Sequence, residues 1–350
     1  MNFELLKELS EATGVPGNED NIRKIVAREL KGIGELSVDL MGNVICRVKG
    51  KGKNPKKLMI AAHMDEIGFM VKYIDDKGFA RVNPLGGWDP RMMAAQRVKV
   101  HTESGPVPGL LMPGTKPKHM LSPAEIGKAA DVNDYFIDMG MDGETAKKKV
   151  QLGDSVTMDR DCQRMGNLIT GKAMDDRACV FIMIEAMKAM KSNDVEVIGV
   201  ATVQEEIGLR GATSFASGEA VDMVVALDVT LSNEIPGIPA EFQVTQMGKG
   251  AAIKIMDSSL ICHPKMVDHF KKVAKKNKIA HQMEVLPAGG TDAGGVQKQH
   301  GGIPAFTLST PCRYIHTVNE TVHQDDVQAC IDLLARYIED AHKGDYTYSL

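Results

Sequence analysis

Lys57-Leu58-Met59-Ile60-Ala61-Ala62-His63 is an unbroken apolar run that stops at an imidazole and passes directly into Met64-Asp65-Glu66. Its length suits a strand, and a strand without polar alternation belongs inside a sheet covered on both faces. The same pattern recurs further along. A strand over 194–202 leads into Gln204-Glu205-Glu206, one over 221–227 ends at Asp228, and one over 303–309 precedes His316. Helical periodicity fills the intervals, over Phe3 to Thr13, Asn18 to about Leu30, Arg177 to Lys191, His263 to Lys276 and Asp325 to Ala341. Gly14-Val15-Pro16-Gly17 separates the first two helices, and 37–48 reads as a strand or hairpin turning at Gly42-Asn43. Apolar strands alternating with helices predict an α/β fold with a mostly parallel mixed sheet flanked by helices.

One region breaks this rhythm. Residues 74–165 are rich in Gly and Pro, with short β-like runs and few helix signals, as in Gly86-Gly87-Trp88-Asp89-Pro90 and Gly105-Pro106-Val107-Pro108-Gly109. They read as a small β-rich, barrel-like domain inserted into a discontinuous one formed by 1–73 and 166–350.

Composition narrows the function classes. Across 350 residues, 43% are hydrophobic and 25% charged, with a net charge of −4, which offers no basic face for nucleic acid. No apolar run is long enough for a bilayer, and the amino terminus lacks the features of a signal peptide. The six cysteines are scattered without a Cys-x-x-Cys pair, the pattern of reduced thiols in a cytoplasmic protein. The 22 methionines read as core fillers. Gly289 to Gly295 lacks both the Lys-Ser/Thr of a P-loop and the dinucleotide spacing.

The chemistry lies at the strand ends, where open α/β sheets place their ligands. His63, Asp65, Asp175, Glu205, Glu206, Asp228 and His316 are far apart in sequence, yet such a fold would make them converge. Singly, each has an ordinary reading, as a structural histidine or a helix cap. Together, two imidazoles and several carboxylates without sulfur suit a pair of divalent cations in an open, water-activating site rather than a closed structural zinc site.

The motifs Ala62-His63-Met64-Asp65-Glu66-Ile67-Gly68, Ala173-Met174-Asp175-Asp176-Arg177, Val203-Gln204-Glu205-Glu206-Ile207-Gly208, Ala226-Leu227-Asp228-Val229, Gly290-Thr291-Asp292-Ala293 and Arg313-Tyr314-Ile315-His316-Thr317 occur in that order. With the Gly86–Pro90 stretch of the insert, the chain resembles the tetrahedral (TET) metallo-aminopeptidases, a family of glutamyl, leucyl and deblocking enzymes with some members labelled endoglucanases. The resemblance implies a zinc-peptidase type of fold with the insert as its dimerisation domain. It implies that His63, Asp175, Glu206, Asp228 and His316 bind two ions of Zn²⁺, Co²⁺ or Mn²⁺, with Asp175 bridging. Glu205 would be the general base and Asp65 the carboxylate steadying His63. It further implies a cis peptide after Asp175, short peptides as substrates, hydrolysis from the amino terminus by a metal-activated water, and a homo-oligomer ranging from dimer to tetrahedral dodecamer. Thr291 and Asp292 are weaker candidates for the substrate pocket. Asp176 departs from the family, standing where many members carry Asn.

Three other readings compete. A metal-dependent deacylase of small N-acyl substrates would use a similar site. A glycosidase would need two carboxyl groups ~5–9.5 Å apart across a bond, which the adjacent Glu205 and Glu206 do not suggest. A non-catalytic assembly protein would have no use for the complete ligand set.

Overall fold

The computed structural model describes residues 1–127 and 130–350. Its large sheet runs, edge to edge, through Glu35–Val38, Val44–Val48, Glu196–Thr202, Lys57–His63, Met223–Leu231, Ala305–Arg313, Glu320–His323, Leu168–Gly171 and Gln163–Met165. Ala251–Met256 and His281–Val285 branch from Ala305–Arg313. The four central strands are parallel, and antiparallel pairs flank them. This is the mixed α/β sheet expected from the apolar runs.

The central strands are buried along nearly their whole length. Helix Met174–Ala189 packs on Lys57–His63 and Met223–Leu231 and is itself covered by helices Gln324–Asp340 and Phe3–Glu11. Helix Asp292–Val296, which packs on Arg210–Gly218, contacts the same strands. So complete an enclosure explains why Phe181, Ile182 and Met183 are all fully buried on successive positions of one helix.

The second body is a closed antiparallel barrel. Its strands are Gly68–Ile74, Phe79–Leu85, Tyr135–Asp138, Gly105–Pro113, Gln96–Thr102 and Ser155–Met158 in spatial order. It has its own core around Phe69, Val98, Val100, Leu111 and Ile137. Here apolar residues alternate with exposed ones, as along Gly105–Pro113, because only the inner face is covered.

One local expectation changes. The strand carrying Asp228 does not end there: its parallel pairing continues to Leu231 opposite Cys312, because Ala305–Arg313 supplies a partner of equal length. Glu205 and Glu206 follow their strand, as the sequence places them. The chain leaves the sheet at Thr202, Gln204 takes the left-handed conformation (φ 56°), and the two glutamates stand in the turn that follows.

Candidate metal centre and catalytic site

His63 is the last residue of its strand, and the structure fixes both of its ring nitrogens. Nδ1 lies 3.0 Å from the carbonyl oxygen of Asp65, a contact that requires the proton on Nδ1. Nε2 is left to face Asp175 Oδ1 at 3.0 Å, and it is the nitrogen whose lone pair would turn to a cation. The Asp65 carboxylate lies 3.6 Å from Nδ1, and its hydrogen bonds go elsewhere. It accepts from the backbone N–H of Glu205 (3.0 Å) and of Glu206 (3.1 Å), and so holds the turn that carries both glutamates. Asp65 thus steadies His63 through its carbonyl and the glutamate turn through its carboxylate.

Asp175 enters from the start of helix Met174–Ala189, where its backbone is not yet helical and the Asp175–Asp176 peptide is cis. Its second oxygen lies 3.3 Å from His316 Nε2, which is 3.4 Å from Glu206 Oε1. Two groups of candidate ligand atoms result, each with all its atoms within 4.8 Å of one another. One comprises His63, Asp175, Asp176 and Asp228; the other Asp175, Glu206 and His316. Asp175 belongs to both. Glu205 belongs to neither, although it lines the same cavity.

The residues present fit a pair of cations. Glu206 Oε1 and Asp176 Oδ1 are buried without a hydrogen-bond partner, which is costly unless something else satisfies them. Burial pushes Asp176, Asp228 and Glu205 well above the carboxylate range, and neighbouring carboxylates add to the shift. Burial would lower His316, but the Asp175 and Glu206 carboxylates beside its ring prevail and push it up to about 12. The pocket therefore attracts positive charge.

Strained backbone concentrates here. Among the described residues, Ala173, Gln204, Leu209, Tyr314 and His316 all have φ between 55° and 61°. Each lies within two residues of one that lines the site or is itself one, and strain of this kind persists only where the surroundings enforce it.

Two contributors, Glu320 and Lys254, escaped the sequence reading. Glu320 is almost fully buried and accepts from the N–H of Asp175 (2.9 Å) and of His316 (2.7 Å). Asp176, noted in the sequence as a departure from the family, stands in one of the two clusters and also accepts from the His63 N–H at 3.2 Å. Lys254 lines the cavity, with Nζ 2.8 Å from Glu284 Oε1 and 3.5 Å from Asp257 Oδ2. The only sequence signal for Glu320 or Lys254 is a charged residue inside an otherwise apolar or β-branched run.

The cavity above these clusters measures about 420 Å³. Leu209, Val229, Leu231, Leu286 and Ile315 give it apolar walls, and Thr291 lines it too. Asp292 does not reach it; this buried carboxylate instead accepts from the Thr202 hydroxyl at 2.6 Å. The barrel supplies the outer wall. Gly87 faces His316 so closely that a Cβ there would stand 3.2 Å from Nδ1, and a Cβ on Gly86 would stand 2.9 Å from Glu206 Oε2. Trp88 anchors this loop by stacking on Phe69 at 4.8 Å and donating from Nε1 to the Gly68 carbonyl.

The chain is similar to known proteins along nearly its whole length. The family described as M42 glutamyl aminopeptidase matches residues 42–333, and one described as AMPT matches residues 2–25. A putative aminopeptidase of Acetivibrio thermocellus is 40% identical over 339 residues, covering 96% of this chain and 98% of the relative. The TET aminopeptidase from Thaumarchaeota archaeon SCGC AB-539-E09 superposes with a TM-score of 0.93 at 33% identity, covering 99% of this chain and 98% of that one. The Pyrococcus horikoshii TET1 peptidase, which can assemble into a tetrahedron or a large octahedral shell, gives 0.85 at 30% identity, covering 95% and 98%. The likeness runs through barrel and sheet alike, and the chain accordingly belongs to the M42 aminopeptidase family, whose members are peptide-bond hydrolases.

Proposed function

We propose that this aminopeptidase works with two divalent cations, Zn²⁺, Co²⁺ or Mn²⁺, removing residues one at a time from the free amino terminus of short peptides. The observation that carries the reading is the double membership of Asp175, one carboxylate with an oxygen in each ligand group. His63 and Asp228 would complete one site, Glu206 and His316 the other. When bound, the cations would polarise the scissile carbonyl and acidify water. Glu205, outside both groups but facing the same cavity, takes the proton of the attacking water and delivers it to the leaving amine. Its raised proton affinity suits a group that must hold that proton between the two steps.

The apolar walls support a preference for neutral amino-terminal side chains such as Leu or Met. Lys254 is the cavity's cation, and its ion pairs with Glu284 and Asp257 leave it poorly placed to attract an acidic side chain. Family membership favours neither the deacylase nor the glycosidase. The barrel is the candidate dimerisation unit, and a homo-oligomer of TET type follows from its likeness to the relatives. Six buried, unpaired cysteines agree with a cytoplasmic setting; among the described residues, no helix is long and apolar enough to cross a membrane.

The test is chelation, followed by reloading with each metal separately. A panel of aminoacyl-p-nitroanilides, their N-acetylated counterparts and cellulose supplies the readout. Turnover of free-amine substrates that disappears on chelation and returns with metal supports the proposal. Activity that survives exhaustive chelation, or that is greatest on N-acetylated substrates, rejects it.

A further inference from the structure

We infer that Glu320 is the positioning residue that locks Asp175 and His316 into one rigid unit, so that the site formed by Asp175, Glu206 and His316 depends on a carboxylate that is not itself a ligand. This rests on the two-cation reading above.

The geometry is specific. Oε2 accepts from the Asp175 N–H at 2.9 Å and Oε1 from the His316 N–H at 2.7 Å, so both oxygens are used and each holds the backbone of a different proposed ligand. These ligands come from distant parts of the chain, and a single side chain sets the spacing between them. Both need such support. Asp175 sits on non-helical backbone at the mouth of a helix, and His316 is held at φ 61°, as is Tyr314 two residues earlier. Glu320 is itself anchored. It is 1% exposed and opens a strand that pairs with Leu168–Gly171 on one side, placing Glu320 opposite Gly171, and with Ala305–Arg313 on the other. A carboxylate fixed by the sheet can therefore impose its position on two segments that the sheet does not hold. The effect should be strongest where both ends of the clamp meet one cation, in the group that contains Asp175 and His316 together.

A merely structural role, in which Glu320 only satisfies two buried N–H groups, predicts something different, and two variants separate the readings. Glu320→Gln keeps the shape but presents an NH₂ to one of the two donors. Glu320→Asp keeps the charge and both acceptors but withdraws them by one methylene. Isothermal titration of the chelated full-length protein with Co²⁺ and the visible spectrum of the Co²⁺ form are read beside the melting temperature of the metal-free protein. We expect the wild type to take up two equivalents. Both variants should bind the first normally and the second about 10–100-fold more weakly, the range usual for partners of metal ligands, with an altered Co²⁺ spectrum for the second equivalent. Two equivalents at wild-type affinity in both variants, with only the melting temperature lowered, would overturn the inference. So would wild-type affinity in Glu320→Asp alone, since charge rather than position would then be at work. A wild type that binds fewer than two equivalents would instead reject the two-cation reading, taking this inference with it.

Discussion

Glu205 and Glu206 are neighbours in the chain with different fates, and Asp65 is the cause. By accepting both of their N–H groups it fixes the turn so that Glu206 meets His316 while Glu205 remains free over the cavity. Glu205→Gln should leave two cations per subunit by elemental analysis, yet lower kcat by about 10²–10⁴-fold, the usual contribution of a positioned general base. Near-native turnover in a metal-loaded variant would remove Glu205 from its role. At this scale the sequence was informative about which residues cluster, because His63, Asp175, Glu206, Asp228 and His316 lie in motifs that the family carries in the same order. It was uninformative about Glu320 and Lys254. Their importance comes from what they touch across the fold, and a buried acid or base in a β-branched run looks the same whether it clamps a site or only fills a pair.

Elements were legible to the extent that burial left a pattern. The central strands announce themselves as continuous apolar runs because both of their faces are covered. The barrel appears as Gly- and Pro-rich alternation because only one face is. Where periodicity carries no information the reading drifted. The strand through Asp228 runs on to Leu231 because a parallel partner continues beside it, a fact held by the partner rather than by the strand. The helix over Met174–Ala189 opens three residues earlier than its apolar pattern indicates, on two aspartates that are not helical in backbone. The loop that joins barrel to site gives the element-scale prediction. Gly86 has φ 84°, and a Cβ there would meet Ile67 Cγ2 at 2.5 Å and Glu206 Oε2 at 2.9 Å. Gly86→Ala should therefore push on Glu206, weakening cation binding at the Glu206–His316 site by about tenfold or more while circular dichroism shows the fold retained. Unchanged metal affinity in a folded variant would show that the loop yields freely.

For the whole molecule, the solved relatives that superpose along almost the full length include one able to form a tetrahedron or an octahedral shell. We expect this chain to sediment as a particle of twelve 38.0 kDa subunits in the presence of metal. A strictly monomeric species by analytical ultracentrifugation, under conditions where the enzyme turns over, would refute that expectation. No periodicity in the chain encodes such symmetry; it depends on surfaces that only the folded barrel and sheet bring into register.

The Gly86–Gly87–Trp88 loop has one more implication, for anyone who treats the barrel as a detachable cassette. Its first strand begins at Gly68 and its last ends at Met158, so excising or swapping that stretch would carry off the wall that faces His316 and Glu206. A chimera with a foreign barrel would inherit a foreign rim around its reaction chamber. Shuffling between relatives should keep this loop with the ligands it abuts rather than with the strands that connect it.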